Sequence, residues 1–324
     1  MFRSSLLPDW SDTLSRRRNG YRLKFDQKFQ FNGEDVMSKR PEYFDKYKTL
    51  KFDRSDDGVL VVRWHSNDGP VLYGAEHHSE WAPAFTDIGG DRGNRVVVFT
   101  GTGDVFIDRH GEWGVPIKTP SNFDVPAWGE KMMFRRLFEI EAPVICACNG
   151  PALIHGELMV LGDINLASTT AVYADEGHFT AGEVPGDGVH ILWQELLGTN
   201  RGKYFLLTGQ HIDAHEALRL GVVNEVLNPE DLMPRALELA HQMATYDDLT
   251  LRYTRQCFVD RWKQLFNDQV GVGYGMALQA LSHMDRGWMV WDKSNEGQET
   301  YSKLQRLYPK DQADAGAGRK RDAA

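Results

Sequence analysis

Residues 149–190 read NGPALIHGELMVLGDINLASTTAVYADEGHFTAGEVPGDGVH, and they alternate apolar runs with loops that carry glycine and titratable side chains. The apolar run VICAC (144–148) leads into this segment; a helical segment (157–162), a strand (164–167) and a polar loop follow. Buried strands that end in such loops place reactive groups on a rigid frame in α/β enzymes. The segment therefore predicts an active site. Its candidate titratable side chains are His155, Glu157, His178, Glu183, Asp187 and His190.

Composition and charge exclude several classes of partner. The chain has 324 residues, enough for one large domain or two modest ones. Its formal net charge of −9 argues against a nucleic acid or an anionic membrane surface as the partner. No apolar run approaches the roughly 20 residues that a membrane span needs, and the N-terminus lacks an apolar segment of secretory length. We expect a soluble, cytoplasmic protein.

The pattern along the chain predicts an α/β fold with a helical C-terminal region. Short strands are expected at 50–54, 59–64, 96–103, 144–148 and 164–167, and the first two are expected to form a hairpin through the turn SDDG. Residues 107–126 are predicted to form a long polar loop that covers the site. Helices are predicted over 77–88, 127–141, 189–197, 200–208, 214–220, 229–246, 249–268 and 270–286.

Ordered motifs between Tyr47 and Leu227 carry a family resemblance. GTGDVF (101–106), NGPAL (149–153), the GDI strand and GEVPGDG (182–188) resemble the crotonase (enoyl-CoA hydratase/isomerase) superfamily. Within it, EGHFTAGEVPGDGVHILW and LGTNRGKYFLLTGQ are most similar to the 6-oxocamphor hydrolases, a β-diketone hydrolase group that does not need coenzyme A. The resemblance implies stacked ββα turns rather than a doubly wound sheet.

The expected organisation has four parts. They are an N-terminal extension (1–45), a crotonase-like spiral core (46–245), a helical oligomerisation region (246–310) and a disordered tail (311–324). The resemblance also implies a homotrimer or a dimer of trimers, with the C-terminal helices at the interfaces.

The resemblance assigns catalytic roles to three residues. His178 stands where hydratases carry a catalytic glutamate, and Asp187 is expected to hold one of its ring nitrogens, which leaves the other nitrogen to take a proton from water. His155, at a helix start, is expected to stabilise or protonate an enolate. Two plainer interpretations stay open: His155 could cap the helix, and Asp187 could satisfy turn amides beside glycine.

A second group of residues is expected to contact substrate. His78 matches a further active-site histidine of the oxocamphor hydrolases, and Glu157 falls near the other hydratase glutamate or only favours the helix N-terminus electrostatically. Arg109 and His110 make their loop more polar than in acyl-CoA-binding relatives, which fits a compact ketone. Ala277 stands where the oxocamphor hydrolases have a glutamate. The aromatic residues expected either to line a pocket or to pack in the core are Tyr73, Trp81, Trp113 and Trp128.

Metal and cofactor sites are not predicted. His211 and His215 are four residues apart, a spacing that suits a metal on one helix face, but no third ligand accompanies them. Cys146 and Cys148 alternate along a strand and are expected to pack as small apolar residues.

The predicted function is retro-Claisen hydrolysis of a cyclic or bicyclic β-diketone to a keto acid, without a cofactor. The alternatives are an acyl-CoA hydratase, isomerase or hydrolase on the same frame, and a catalytically silent crotonase-like scaffold.

Overall fold

The computed structural model describes residues 40–111 and 120–281. Predictions for residues 1–39, 112–119 and 282–324 lie outside the described part. The strands within it are β1 (Leu50–Arg54), β2 (Val59–Trp64), β3 (Val71–Tyr73), β4 (Val96–Thr100), β5 (Ile107–His110), β6 (Val144–Cys148), β7 (Ile164–Ser168), β8 (Val172–Tyr173), β9 (Ile212–Asp213) and β10 (Glu225–Leu227). The α-helices are α1 (Ala75–Gly90), α2 (Pro120–Glu139), α3 (Val189–Leu197), α4 (Thr199–Thr208), α5 (Ala214–Leu220), α6 (Pro229–Met243) and α7 (Asp248–Leu281).

The main sheet has six strands in the order β1-β2-β4-β6-β7-β10. The predicted hairpin is confirmed, because β1 and β2 pair antiparallel with Leu50 opposite Trp64. The other pairings are parallel. Parallel strands are buried on both faces, and the apolar runs VVVFT and VICAC are buried throughout.

Side chains that alternate along the strands supply two apolar cores. Val96 and Val98 point to one face, where they pack with Ile145 and with Leu232 and Ala236 of α6. The intervening side chains point to the opposite face, into a larger core shared with α1, α2 and α7. Burying one side chain of this size stabilises the fold by about 1.5–3 kcal/mol. Because apolar side chains lie on both faces of the sheet, helices must cover both faces to gain this stabilisation.

A second, smaller sheet lies at the ends of the main strands. Strands β3 and β5 pair parallel, and β8 and β9 pair antiparallel. Ala152 joins the two pairs, since it bridges Ile107 of β5 and Tyr173 of β8. This sheet brings together chain segments that are far apart in sequence.

Three local predictions were wrong. The loop predicted for 107–126 contains strand β5, and α2 begins at Pro120, because pairing of β5 with β3 is a long-range contact that no local pattern reports. The helix predicted for 157–162 is a single 3-10 turn, Gly156–Met159. The two helices predicted from residue 249 onwards are one continuous helix, α7, within the described range.

No helix in residues 40–111 and 120–281 has both the length and the apolar character to cross a membrane.

Candidate active site

The second sheet carries most of the predicted site residues. Tyr73 ends β3 and His110 ends β5. His155 follows the bridging residue Ala152 by three positions, and His178 lies in the loop that leaves β8. One sheet therefore brings these side chains together, although almost a third of the chain separates Tyr73 from His178.

His178 lies between two carboxylates. Its Nδ1 is 2.7 Å from Oδ1 of Asp175, and its Nε2 is 3.2 Å from Oδ2 of Asp187. Burial opposes protonation of the ring, but the two carboxylates outweigh it and hold the pKa of His178 well above its ordinary value. Burial also works against ionisation of Asp187, yet the His178 cation keeps the pKa of that carboxyl below its ordinary range.

Asp175 changes the predicted arrangement around His178. Asp187 was expected to hold one ring nitrogen and leave the other to water; Asp187 does lie beside Nε2, but Asp175 occupies Nδ1, so both ring nitrogens face a carboxylate. The sequence did carry a signal, because Asp175 precedes His178 by three residues at the end of a strand. Asp187 also accepts from the backbone N–H of Val189 at 3.1 Å, so the plainer interpretation holds for its other oxygen.

His155 is paired with Glu157. Nδ1 of the imidazole is 2.8 Å from Oε1 of the carboxylate, and both side chains are buried. Burial alone would lower the pKa of His155, but the Glu157 carboxylate reverses this and raises it. Burial raises the pKa of Glu157. Glu157 thus contacts His155 directly, whereas the sequence offered it only a choice between a hydratase-like role and helix electrostatics.

The backbone of His155 is left-handed, with φ 48° and ψ 35°. This conformation costs a residue with a Cβ about 1–2 kcal/mol, and it clusters at functional sites. The side chain makes no capping hydrogen bond to the following turn, so the interpretation of His155 as a helix cap is wrong. The strained backbone instead turns the ring towards His178, and the two ring centroids are 6.3 Å apart at an interplanar angle of 84°.

Tyr73 stands at the centre of the histidines. Its ring centroid lies 4.5 Å from that of His155, 6.3 Å from that of His78 and 6.1 Å from that of His110. Burial, reinforced by nearby carboxylates, keeps the pKa of Tyr73 well above its ordinary value, so the hydroxyl stays protonated. Burial lowers the pKa of His110 to about 3, and the cationic His155 and His178 add to this effect, so His110 is neutral.

His78 lies on the far side of Tyr73 in a cluster that the sequence did not reveal. Its Nε2 is 3.1 Å from Oε1 of Glu130, and Tyr274 donates a 2.9 Å hydrogen bond to Oε2 of the same carboxylate. Glu130 comes from α2 and Tyr274 from α7, so only the tertiary fold brings them to His78. Ala277 is buried one turn beyond Tyr274.

The remaining predictions have plainer outcomes. Trp81 packs in the core against Trp64, with ring centroids 5.5 Å apart, whereas Trp128 is 60% exposed and does not pack in the core. Trp113 lies outside the described residues. His211 pairs with Glu176 at 3.0 Å. Among residues 40–111 and 120–281, no cluster of His, Cys, Asp and Glu has the geometry of a metal site.

Comparisons with known proteins agree with this architecture. The model of the enoyl-CoA hydratase/isomerase family matches residues 73–286, about two-thirds of the chain. A β-diketone hydrolase from the cyanobacterium Anabaena sp. PCC 7120, solved with (S)-3-oxocyclohexyl acetic acid bound, is 42% identical with a TM-score of 0.73. That match covers 75% of this chain and 98% of the Anabaena protein. An enoyl-CoA hydratase from Mycobacterium avium subsp. paratuberculosis K-10 shares the fold at 18% identity and a TM-score of 0.65.

Sequence relatives carry acyl-CoA names. A short-chain-enoyl-CoA hydratase from Clostridium acetobutylicum is 37% identical over 125 residues, which is 38% of this chain and 48% of the relative. A crotonyl-CoA hydratase from Syntrophomonas wolfei is 30% identical over 203 residues, which is 58% of this chain and 76% of the relative. The chain thus spans about half the length of the first of these relatives and three-quarters of the second.

Proposed function

Because the chain belongs to the enoyl-CoA hydratase/isomerase family, the crotonase superfamily, we propose that it uses this frame to hydrolyse a carbon–carbon bond of a cyclic or bicyclic β-diketone. The observation that carries the proposal is the placement of two carboxylate-paired imidazoles, His178 and His155, with ring centroids 6.3 Å apart. The Anabaena β-diketone hydrolase supports it, as a 42% identical relative that covers three-quarters of this chain.

His178 is the proposed base. In its neutral form the ring donates Nδ1–H to Asp175 and presents the Nε2 lone pair to a water molecule, whose second hydrogen faces Oδ2 of Asp187. The water oxygen attacks one carbonyl carbon, and its proton passes to Nε2. The resulting imidazolium is stabilised by both carboxylates, which raises the pKa of His178, so the neutral form that acts as the base becomes more abundant as the pH rises.

His155 is the proposed acid. When the tetrahedral adduct collapses, the bond between the attacked carbon and its neighbour breaks, and the electron pair delocalises into the second carbonyl as an enolate. Glu157 holds Nδ1 of His155 and favours its protonated form, so Nε2–H is available to stabilise the enolate and then to protonate it. The products are a carboxylic acid and a ketone in one molecule, with one water consumed.

The experiment that tests this function is a substrate panel. The protein is incubated with cyclic and bicyclic 1,3-diketones, and loss of enol absorbance is followed together with the appearance of a keto acid. Turnover that falls by about 10²–10⁴ in H178A supports the proposal. Turnover of no diketone, or undiminished turnover in H178A, would overturn it.

Acyl-CoA chemistry is the second candidate, because the family model and the sequence relatives from Clostridium and Syntrophomonas carry enoyl-CoA and crotonyl-CoA names. It predicts that crotonyl-CoA or another enoyl thioester is hydrated and that coenzyme A raises the thermal midpoint. The β-diketone proposal predicts neither effect. One set of thermal-shift and hydration assays therefore separates the two functions.

A further inference from the structure

Three helices each contribute one side chain to the far wall of the proposed site. His78 of α1, Glu130 of α2 and Tyr274 of α7 meet at the Glu130 carboxylate, one oxygen for each neighbour. Their side chains are almost entirely buried, with Glu130 at 12% exposure as the most accessible. Burying a carboxylate is unfavourable unless its oxygens meet polar partners; here Oε2 accepts a hydrogen bond from Tyr274 and Oε1 lies 3.1 Å from Nε2 of His78.

Tyr73 connects the cluster to the catalytic groups. Its ring centroid lies 4.5 Å from that of His155 and 6.3 Å from that of His78. Burial keeps the pKa of Tyr274 well above its ordinary value, and the charges of Glu130 and Asp187 add to this effect. The Tyr274 hydroxyl therefore stays protonated, and it donates its hydrogen to Glu130.

A glycine permits the close approach of α2 to α1. A Cβ added at Gly129 would lie 2.6 Å from Cε1 and 2.9 Å from Nδ1 of His78. Such distances are shorter than real side chains tolerate, so the His78–Glu130 contact depends on a missing side chain at the preceding residue. Packing at this position thus fixes His78 against the carboxylate.

We propose that Glu130 is a positioning residue that holds His78 and Tyr274 in place beside Tyr73 and so sets the shape of the wall that the second carbonyl of the substrate meets. This inference relies on the proposed β-diketone hydrolase function. A wall that orients a prochiral or unsymmetrical diketone decides which of its two carbonyls faces His178. Glu130 therefore contributes to substrate affinity and product stereochemistry, whereas the bond-breaking step remains with His178 and His155.

The test compares E130Q, E130A and Y274F with the wild-type protein on a prochiral bicyclic diketone that the wild type turns over. We expect KM to rise about tenfold in E130A while kcat changes by less than about threefold, with a lower enantiomeric excess of the keto acid. E130Q, which keeps the shape of the side chain, is expected to restore part of the affinity. E139Q on the same helix, whose exposed Glu139 pairs with Arg136, is the matched control and should match wild type.

The outcomes separate this inference from the function on which it relies. No wild-type turnover of any diketone would sink the proposed function itself. Wild-type turnover with unchanged KM and unchanged enantiomeric excess in E130A and Y274F would overturn the role of Glu130 alone. Equal loss of kcat in E130A and E130Q, with a lowered thermal midpoint, would assign Glu130 to structural support and also overturn it.

Discussion

Asp175 Oδ1 lies 2.7 Å from Nδ1 of His178, closer than the 3.2 Å between Oδ2 of Asp187 and Nε2 of the same ring. In the proposed mechanism the closer carboxylate, Asp175, holds the Nδ1 proton when the ring is neutral, and Nε2 is the nitrogen that accepts the proton from water. Asp187, which the sequence paired with His178, does contact the ring, on the Nε2 side where the proposed water would bind.

Removing the charge of Asp175 tests this division of roles. Because the Asp175 carboxylate raises the pKa of His178, D175N should lower that pKa by roughly one to three pH units, as followed by NMR of the imidazole. The apparent pKa of kcat/KM that belongs to His178 should move to lower pH by the same amount, and the maximum rate should fall between about 10- and 10⁴-fold.

A matched control is D53N, which removes an exposed carboxylate from strand β1 of the main sheet. It should leave both the pH profile and the His178 titration unchanged. An unaltered His178 titration in D175N would contradict the assigned contact.

Removing the charge of Glu157 should change the alkaline limb of the pH–rate profile, whereas D175N should change the acidic limb. Its carboxylate raises the pKa of His155 against the lowering effect of burial, so E157Q should lower that pKa and deplete the protonated acid as the pH rises. We expect kcat/KM to fall about 10- to 100-fold, with the larger loss at alkaline pH. The measurement is a full pH–rate profile of E157Q beside wild type. A loss that is greatest at acidic pH would be inconsistent with His155 as the acid.

Gly129 should be intolerant of a methyl group. Gly→Ala in an open helix interior is stabilising by up to about 1 kcal/mol, but at Gly129 the new Cβ would meet His78 Cε1 at 2.6 Å. We expect G129A to lose roughly 1–3 kcal/mol of unfolding free energy in urea titrations. G271A on α7 is the control, since no atom lies within 4 Å of its added Cβ, and it should gain stability. Equal stabilisation of both variants would refute the contact.

The outer surface of α7 predicts self-association. Five of its large apolar side chains are each more than half exposed: Leu249, Tyr253, Phe258, Val272 and Met276. Exposed apolar surface of this kind marks an interaction site, which fits the expected homotrimer or dimer of trimers. Light scattering should give a mass of three or six times 36.8 kDa, and F258E should reduce it. A wild-type mass of 36.8 kDa would contradict this expectation.

The sequence predicted those parts of the fold and site that depend on local patterns. Apolar runs located strands β4 and β6, the turn SDDG located the first hairpin, and Gly-rich loops located His155 and His178. Contacts between segments far apart in the chain could not be predicted from these local patterns. The pairing of β5 with β3 converted an expected loop into a strand.

Two site contacts show the same limit. Glu130 and Tyr274 are 144 positions apart and meet only through the packing of α2 on α7, so no spacing in the sequence predicts their contact. Asp175 was different, because it lies only three residues before His178 in the sequence. The prediction instead relied on the glycine-rich loop that contains Asp187, nine residues after His178.

Hydrolysis carried out in ¹⁸O-labelled water tests the central claim most directly. The protein is incubated with a bicyclic 1,3-diketone, and the keto acid is analysed by mass spectrometry after brief reaction. If His178 activates water for attack on a carbonyl, one labelled oxygen should appear in the new carboxyl group, and H178A should form little of this product. Absence of a keto acid, or a keto acid whose carboxyl group carries no label, would contradict the account.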